Sequence, residues 1–492
     1  MPAQLRFSKQ FLLSSTTVLN SLLDNWAVTT LSSGYLLYTH PNLNVAQVCN
    51  EHYQYIAMGD LLDPDQAKAC NEEIIQRLAD ECDSFAALEL ALSTLSGRWA
   101  LIATINGRSR VYHDAAGQKS VFYHTSVSGE RFMCTHPSLL HSLEIVVKDT
   151  ELQNEFESFT NSGSWPIYAL PYCDVHQLLP NHYLDLEELA AARYWPKGQL
   201  QPLTVEAAAK KMAHLVKGAT EAAAARNNCI LNLTGGYDSR LILASAVDIW
   251  EQCEFFTVKR TDSPKHDQSI PIKLKNKYKL KHHFVQSSVK SAATAKQNDE
   301  LNKQLQINVG GMRYDPSLQA TLAVKNTIGD KTHLPGLISE VTRCYYYEDG
   351  VHPDRITPEF LAQRSGFGSN PIAIKGCKRW LDNLPDDLSV NILDLFYWEH
   401  RLGIWAACGM AFSEAVMDQL SPMNCRAYLE AGLSTDVSYR KSPYALITKT
   451  IEVLNPGLLK FKFNYDLADY LQELGVGKLP LPWRIKKAVG LV

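Results

Sequence analysis

The segment Leu231–Arg240, with the sequence LNLTGGYDSR, carries residue types that suit the binding of a phosphate group. An apolar stretch runs into Thr234-Gly235-Gly236, and the residues after it favour a helix that begins at about Asp238. Glycines let the backbone turn tightly and approach a ligand closely. Amide groups at the start of a helix face outward as an anion site, to which the hydroxyls of Thr234 and Ser239 add donors. The pattern predicts a phosphate site; the simpler alternative is a structural turn in which Asp238 caps the helix.

Asp238 places a carboxylate where this phosphate is expected to bind. The two negative groups repel each other unless a cation lies between them, and Mg²⁺ prefers carboxylate and phosphate oxygens. No Gly-Lys-Ser/Thr follows, so the segment is not a Walker A loop, and it lacks the GxGxxG spacing of dinucleotide-binding turns. We therefore expect magnesium at Asp238.

The sequence on either side of the glycine turn predicts the helices and strands that hold this turn in place. Patterns for helices and short apolar strands alternate, in the order TVEAAAKKMAHLVKGATEAAAARN, NCILNLTGG, DSRLILASAVDI, CEFFTVKR, SIPIKLKNKYKL and HHFVQSS. Such alternation predicts an α/β domain with a parallel sheet. From about residue 355 onward the pattern is mostly helical and rich in aromatic residues.

The first 195 residues or so predict a different, α+β architecture. The strands RWALIATING and SRVYHDA are joined by Asn106-Gly107, a strong hairpin signal, and SVFYHTSVSGERFMCTH repeats that pattern. One long helical stretch is expected in AKACNEEIIQRLADECDSFAALELALSTL. Pro196, Gly198 and Pro202 break the pattern, which places a linker near 195–204.

Composition excludes several classes of protein. Lys and Arg total 48 and Asp and Glu total 52, so the net charge of −4 excludes a broad basic surface for nucleic acid or membrane. Eleven scattered cysteines without a CxxC pair indicate reduced thiols and a cytoplasmic setting. No apolar run reaches the ~20 residues needed to span a bilayer. The mildly basic segment Leu479–Val492 is expected to be a packed terminal helix rather than a membrane contact.

LTGGYDSR resembles the SGGxDS pyrophosphate loop of the asparagine synthetase family, within the N-type ATP pyrophosphatases. Upstream segments are similar to the class II glutaminase half of those enzymes, in matching order: Gly97-Arg98-Trp99-Ala100-Leu101, Asp114–Tyr123, Leu178–Asp185 and Arg193-Tyr194-Trp195-Pro196. The resemblance implies an N-terminal-nucleophile-type glutaminase-like α+β sandwich over residues 1–195. It also implies an α/β, parallel-sheet, asparagine-synthetase-like ATP-pyrophosphatase domain over residues 205–492.

The first departure from the family is at the N-terminus. A class II glutaminase uses an N-terminal cysteine exposed by removal of Met1, whereas this chain has Pro2, and its first cysteine is Cys49. We therefore expect no glutamine hydrolysis; the alternative is a glutaminase that acts from Cys49, which would lack the free α-amine. The chain is similar in this respect to β-lactam synthetases and lasso-peptide cyclases, which keep the domain as a scaffold and take their nitrogen from a substrate amine.

The second departure is in Leu334–Tyr347, which resembles the family's SGEGADELFGGY loop with one residue fewer. Gly336 and Glu340 can be matched, but Ser339 stands where the family's metal-binding aspartate would be. The resemblance implies that either Glu340 or a water joins Asp238 as a metal ligand, and that Arg343 contacts pyrophosphate. The alternative is a surface turn with a structural Glu–Arg pair.

Further site residues are carried over by resemblance. Leu233 and Val258 match positions near the adenine, and Lys462, in preference to Lys460, matches the catalytic lysine; the alternative is two exposed lysines on a strand. Arg240 replaces a small residue, and both phosphate contact and solvent exposure remain open for it. Other matched positions are His266-Asp267, Arg401, Arg426 and the aromatic face of Phe396–Trp405, for which core packing is the favoured alternative.

The resulting hypothesis is an ATP- and Mg²⁺-dependent, AMP-forming carbon–nitrogen ligase. A carboxylate of a small molecule or peptide would be adenylated, and an amine would then displace AMP to form an amide, within one molecule or between two. A precursor peptide is a candidate partner, and nucleic acid and membrane are not expected. The alternatives are an ammonia-dependent asparagine synthetase and a nucleotide-binding scaffold without catalysis; tRNA thiolation by a related loop lacks the expected basic surface and paired cysteines.

Overall fold

A computed structural model describes residues 6–156, 164–259, 268–287, 292–309, 317–347 and 356–464. Some residues for which the sequence made predictions lie outside these ranges, namely Pro2, His266-Asp267 and the basic segment Leu479–Val492. Within the described ranges, no helix has both the length and the apolar character required to cross a membrane.

The chain before residue 195 forms two antiparallel sheets. The strands are β1 (Phe11–Ser14), β2 (Ala27–Thr30), β3 (Leu36–Thr39), β4 (Val45–Cys49), β5 (Tyr53–Leu62), β6 (Ser96–Ile105), β7 (Arg108–His113), β8 (Phe122–Thr125), β9 (Arg131–Cys134), β10 (Val175–Gln177), β11 (His182–Asp185) and β12 (Ala190–Arg193). Their order is β10-β8-β9-β1-β3-β2 in one sheet and β12-β11-β7-β6-β5-β4 in the other. Apolar side chains of both sheets, such as Leu13 and Ile102, share one core, so the sheets pack face to face.

Short sequence motifs explain where strands turn and where helices begin in the chain before residue 195. Asn106 and Gly107 both have positive φ, 50° and 80°, and Ile105 pairs with Arg108, so β6 and β7 form the predicted two-residue hairpin. The single helical stretch expected after β5 is instead two helices, α1 (Asn71–Glu81) and α2 (Phe85–Leu92), because the side chain of Ser84 caps the start of the second. Two more short helices, α3 (Pro137–Ser142) and α4 (Thr150–Phe156), complete this part.

A parallel sheet follows, as the alternating pattern predicted. Its strands are β13 (Cys229–Asn232), β14 (Glu254–Lys259), β15 (His282–Gln286) and β16 (Thr332–Leu334), in the order β15-β14-β13-β16. The helices are α5 (Val205–Arg226), α6 (Tyr237–Ser245), α7 (Ser269–Tyr278), α8 (Ala292–Asn308) and α9 (Ser317–Ile328). Because β13 lies inside the sheet, the glycine turn after it opens at the carboxyl edge, where open α/β sheets bind ligands.

The rest of the described chain is helical, as predicted. The α-helices are α10 (Pro358–Arg364), α11 (Pro371–Asp382), α12 (Ile392–Phe396), α13 (Ala407–Glu414), α14 (Arg426–Leu433), α15 (Val437–Arg440) and α16 (Ala445–Leu454). The segment Tyr397–Ala406 between α12 and α13 is a π-helix, and Ser339–Arg343 and Pro456–Lys460 are 3-10 helices.

The antiparallel sheets and the parallel sheet share a continuous core, which includes Leu101 of β6, Leu231 of β13 and Leu429 of α14. Two glycines allow helices of the later part of the chain to come into direct main-chain contact with the earlier part. A Cβ on Gly218 of α5 would lie 2.1 Å from the carbonyl oxygen of Pro64, and one on Gly376 of α11 would lie 2.2 Å from that of Ile167. The close approach therefore requires glycine at both positions.

Candidate functional site

The glycine turn lies between the end of β13 and the start of α6. The helix begins at Tyr237, one residue before the predicted start, and its N-cap Gly236 has extended backbone angles (φ −81°, ψ 174°). The N-cap Gly236 has no side chain to cap the helix, and its own amide donates to the Oγ1 of Thr234 at 3.3 Å. The first amide groups of a helix have no acceptor within the helix, so those of α6 are available to an anion.

The two predicted hydroxyls are adjacent at this turn. The Oγ1 of Thr234 and the Oγ of Ser239 lie 2.7 Å apart, and the amide of Thr234 donates to the Ser239 Oγ at 3.2 Å. The contact closes the turn and leaves the hydroxyls beside the start of α6. Phosphate binding at Gly235 and Gly236 stays a prediction from the sequence.

The second predicted loop packs directly against the first. A Cβ on Gly336 would come within 2.9–3.0 Å of Asp238 atoms, so only glycine allows this approach without a shift. The 3-10 helix Ser339–Arg343 then begins after Ile338, which has a φ of 88°, and ends at Cys344, with a φ of 54°. Positive φ is costly for a β-branched residue, so the buried Ile338 marks a strained position beside the site.

Both carboxylate oxygens of Asp238 have partners within the protein. The Ser339 hydroxyl donates to Oδ1, and Nη2 of Arg343 donates to Oδ2 at 2.9 Å. The described residues contain no group of three or more His, Cys, Asp or Glu side chains arranged to hold a metal. Asp238 is therefore paired with a guanidinium in this structure, and the magnesium site at Asp238 and Glu340 stays a prediction from the sequence.

Glu340 is buried beside this pair. Its Oε1 lies 3.9 Å from Nη2 of Arg343, and its Oε2 has no hydrogen-bond partner among the described residues. Burial, followed by the charge of Asp238, raises the pKa of Glu340 to about 7, although Arg343 acts in the opposite direction. Its buried surroundings therefore favour the neutral form of the carboxyl group more than water would.

Arg240 contacts neither phosphate nor solvent, the two possibilities left open by the sequence. It is fully buried, and it donates to the carbonyls of Leu458 and Phe461 at 3.0 Å and of Lys462 at 3.3 Å. The residue therefore joins α6 to the segment after α16.

That segment reaches the glycine turn. The amide of Asn464 donates to the carbonyl of Gly235 at 2.9 Å, and the ring of Phe463 stacks on Tyr237 at 4.1 Å. Lys462 is exposed in an irregular stretch after the 3-10 helix, so the alternating strand suggested for Lys460 and Lys462 does not form. Sequence order alone could not place this segment, because it packs against residues more than 200 positions earlier.

The two predicted adenine-side residues belong to the sheet core. Leu233 is fully buried; its amide donates to the carbonyl of Phe256 at 2.7 Å, and its carbonyl accepts from the Thr257 hydroxyl at 2.6 Å. Val258 is partly buried and packs against the core around Phe256. The amide of Leu233 is thus already used within the protein.

A cavity beside Arg343 was not anticipated from the sequence. Its volume is about 640 Å³, and its described lining is Arg343, Cys344, Tyr345, Tyr347, Lys441, Ser442 and Tyr444. The run Tyr345-Tyr346-Tyr347 was the available signal, but helical spacing could not show which of the rings face outward. The Tyr397 ring of the π-helix packs on Tyr345 at 4.9 Å, which connects the predicted aromatic helix to this cavity.

The other arginines singled out by the sequence have packing roles. Arg426 is buried over the Tyr194 ring at 4.5 Å, and Arg401 lies over Trp405 at 3.5 Å. These contacts support the core-packing alternative for the aromatic helix.

The glutaminase-like motif residues hold the sheet together. Asp114 accepts hydrogen bonds from the amides of Gln118 and Lys119 at 2.8 Å and from Asn424 at 2.7 Å. Gly97 has a φ of 103° and faces the carbonyl of Asp60. These interactions give the motif a structural role. Cys49, the first cysteine of the chain, is exposed at the end of β4.

No protein-family model and no curated protein matches the chain. Solved structures that match include glutamine phosphoribosylpyrophosphate (PRPP) amidotransferase from B. subtilis complexed with ADP and GMP, and the allosteric regulatory enzyme of purine biosynthesis. Each is 10% identical with a TM-score of 0.25, and the matches cover 68% of this chain and 70% and 71% of theirs. Identity and TM-scores this low support no conclusion about the fold or the activity of this chain. The resemblance to the asparagine synthetase family therefore rests on the sequence motifs.

Proposed function

We propose that this protein is an ATP-dependent, AMP-forming ligase that joins a carboxylate to an amine. The observation that carries the proposal is the uncapped start of α6 at the carboxyl edge of the parallel sheet, with two hydroxyls and Arg343 beside it among the described residues. In this proposal the turn binds the anion, and the cavity lined by Arg343 is large enough for a small substrate or the end of a peptide.

In the proposed reaction, the turn at Gly235 and Gly236 holds the β- and γ-phosphates of ATP. A substrate carboxylate oxygen bonds to the α-phosphorus, and the bond from that phosphorus to the pyrophosphate oxygen breaks. The amine then attacks the acyl carbon, AMP leaves, and Glu340 is the candidate to accept the proton of the amine. Lys462 remains a candidate to offset negative charge on the acyl-adenylate.

Magnesium supplies further charge neutralisation when it is bound to the nucleotide. We propose that it is held by phosphate oxygens and water, since Mg²⁺ keeps several waters in most nucleotide sites. The residues before 195 act as a scaffold in this proposal, in keeping with the structural hydrogen bonds that Asp114 accepts.

The test is a pyrophosphate-release assay with ATP across a panel of carboxylic acids and amines, with Asp238→Asn as the site variant. We expect turnover to fall at least about 100-fold in Asp238→Asn, because the change releases Arg343 and alters the charge of the site. Asp382→Asn is the matched control, since Asp382 is an exposed helix residue paired with Lys378. Unchanged turnover in Asp238→Asn would rule the assignment out.

A second candidate is a nucleotide-binding scaffold without catalysis. Ser339, which stands where the family has a metal-binding aspartate, and the buried Arg240 favour it, because both depart from the pattern of the catalytic family. ATP binding without pyrophosphate release against any acid would decide for this candidate.

A further inference from the structure

The ion pair between Arg343 and Asp238 occupies the place where the sequence predicted a metal. One oxygen of Asp238 accepts from the Ser339 hydroxyl, and the other accepts from Nη2 of Arg343 at 2.9 Å. A second metal-binding carboxylate would carry another negative charge at position 339, whereas serine is neutral. The positive charge of Arg343 therefore faces Asp238 directly at 2.9 Å, with Oε1 of Glu340 farther away at 3.9 Å from the same Nη2.

The backbone holds Arg343 in this position. The 3-10 helix that carries it is bounded by residues with positive φ, Ile338 and Cys344, and the preceding Gly336 is in contact with Asp238. The Arg343 side chain is 15% exposed, and its Nε is buried without a hydrogen-bond partner among the described residues. Arg343 is also one of the residues that line the 640 Å³ cavity, and its guanidinium lies 5.5 Å from the centre of the Tyr444 ring in the same lining.

We propose that the Arg343 guanidinium takes over the role of a protein-held divalent cation at Asp238 and binds the phosphate oxygens of the ligand directly. The inference deepens the proposed function and rests on it. A guanidinium has five N–H donors in a planar fork that matches two phosphate oxygens, and the contact with Asp238 is made by Nη2 alone among the described atoms. The site would then bind pyrophosphate without a metal bound to the protein.

The experiment measures binding of inorganic pyrophosphate and of ATP by calorimetry, in excess EDTA and in magnesium chloride. For the wild-type chain we expect the two Kd values for pyrophosphate to agree within about 3-fold. Arg343→Gln should weaken binding in EDTA at least about 30-fold, because it removes a charged partner from a largely buried contact. Arg108→Gln, which changes an exposed arginine of the β6–β7 hairpin, is the matched control and should bind as wild type.

Two more variants keep the result interpretable if Arg343→Gln is poorly folded. Arg343→Lys retains the charge and loses the fork, and we expect its binding in EDTA to lie between those of wild type and Arg343→Gln. Ser339→Asp combined with Arg343→Gln restores a second carboxylate, and we expect its pyrophosphate binding to depend on magnesium by at least about 10-fold. Thermal melts identify any variant that is unfolded.

The outcomes separate the inference from the proposed function. Pyrophosphate binding by wild type that requires magnesium, and that Arg343→Gln and Arg343→Lys leave within about 3-fold, overturns the inference while the proposed function stands. Failure of the wild-type chain to bind either ATP or pyrophosphate in both buffers overturns the proposed function and the inference with it.

Discussion

Single residues in this protein hold together segments that are far apart in the sequence. Arg240 is the strongest case, because its buried guanidinium serves three carbonyls of the segment after α16 and also lies over the Phe463 ring at 4.6 Å. Burial lowers the pKa of Arg240 to about 10, which leaves it charged at neutral pH. Backbone oxygens therefore stabilise this charge.

Replacing Arg240 should detach this segment. We expect Arg240→Met to reduce the free energy of unfolding by about 1–3 kcal/mol, since buried carbonyls lose their donors. Urea unfolding measures the loss, and limited proteolysis should show faster cleavage near Phe461. Arg108→Met is the control, with an expected change within about 0.5 kcal/mol. Equal effects of the two substitutions would contradict the role of Arg240 in holding the segment.

A single methyl group tests the contact between the two loops of the site. Gly336→Ala places a Cβ within 3.0 Å of Asp238, and we expect a loss of about 1–3 kcal/mol in stability together with weaker pyrophosphate binding. Gly409→Ala in α13 is the control, because no described atom lies within 4 Å of its added Cβ. That control should be neutral or more stable by about 0.5–1 kcal/mol. The prediction fails if both variants bind pyrophosphate equally well.

The site could be predicted from the sequence only in part. The glycine turn was predictable because strand, turn and helix start are local and lie within Leu231–Arg240. Asp238 was recognised as a carboxylate at the turn, but its partners Ser339 and Arg343 are 101 and 105 positions away. No spacing rule could therefore show that an arginine contacts this carboxylate.

At the scale of elements, the π-helix Tyr397–Ala406 connects the two parts of the chain. Its Glu399 is fully buried, forms a bidentate ion pair with Arg193 of β12, and accepts from the Trp380 indole at 2.8 Å and from Asn181 at 3.1 Å. Burial alone would raise the pKa of Glu399, but Arg193 and the other donors outweigh it, and the pKa lies below its ordinary value of 4.5.

This shift has a predictable effect on stability. A carboxyl whose pKa is lower in the folded state stabilises the protein above its unfolded pKa and loses that contribution as pH falls through the folded one. Stability should therefore decrease on acidification below about pH 4.5, and Glu399→Gln should flatten that part of the curve. At pH 7 the variant should be less stable by about 3–5 kcal/mol, because Arg193 is left without its partner.

The measurement is urea unfolding of both proteins from about pH 3 to about pH 7. Glu359→Gln, on the surface of α10, serves as the control and should follow the wild-type curve. A variant curve parallel to that of wild type would show that Glu399 makes no such contribution.

The sequence predicted where helices and strands occur better than it predicted the kind of helix or the residues at which a helix is interrupted. The Thr204 cap of α5 and the Asn106-Gly107 hairpin are local signals, and both appear in the structure. The break between α1 and α2 was missed because apolar spacing continues across it. The π-helix was missed because its spacing resembles that of an α-helix, and the buried Glu399 that accompanies it is satisfied by residues of distant elements.

At the scale of the whole molecule, the antiparallel and parallel sheets share one continuous core. Polar contacts cross the same boundary, since Asn424 bonds to Asp114 and the Trp398 indole donates to the carbonyl of Ala115 at 2.7 Å. The sequence predicted two halves with a linker near 195–204. It could not predict how closely they pack, because this depends on side chains from both.

We expect the chain to unfold in one cooperative transition. Scanning calorimetry should show a single peak, and Gly218→Ala should lower its temperature without splitting it, because a Cβ there would strike the Pro64 carbonyl. Gly129→Ala, in an exposed turn with no described atom near the added Cβ, is a control for adding a methyl group, although its φ of 88° adds local strain. Two separate peaks, with only one moved by Gly218→Ala, would contradict the shared core.

The contacts at Gly218 and Gly376 also limit how the sequence of this chain can evolve. Each glycine lies on a helix of the later part, and each faces a main-chain carbonyl of the earlier part. An exchange of either part with that of a distant relative would therefore succeed only if the incoming partner kept glycine at these contacts. We expect the two parts to be inherited together. The restriction comes from these two contacts, where there is space for the hydrogen atom of glycine but not for a side chain, and not from the linker.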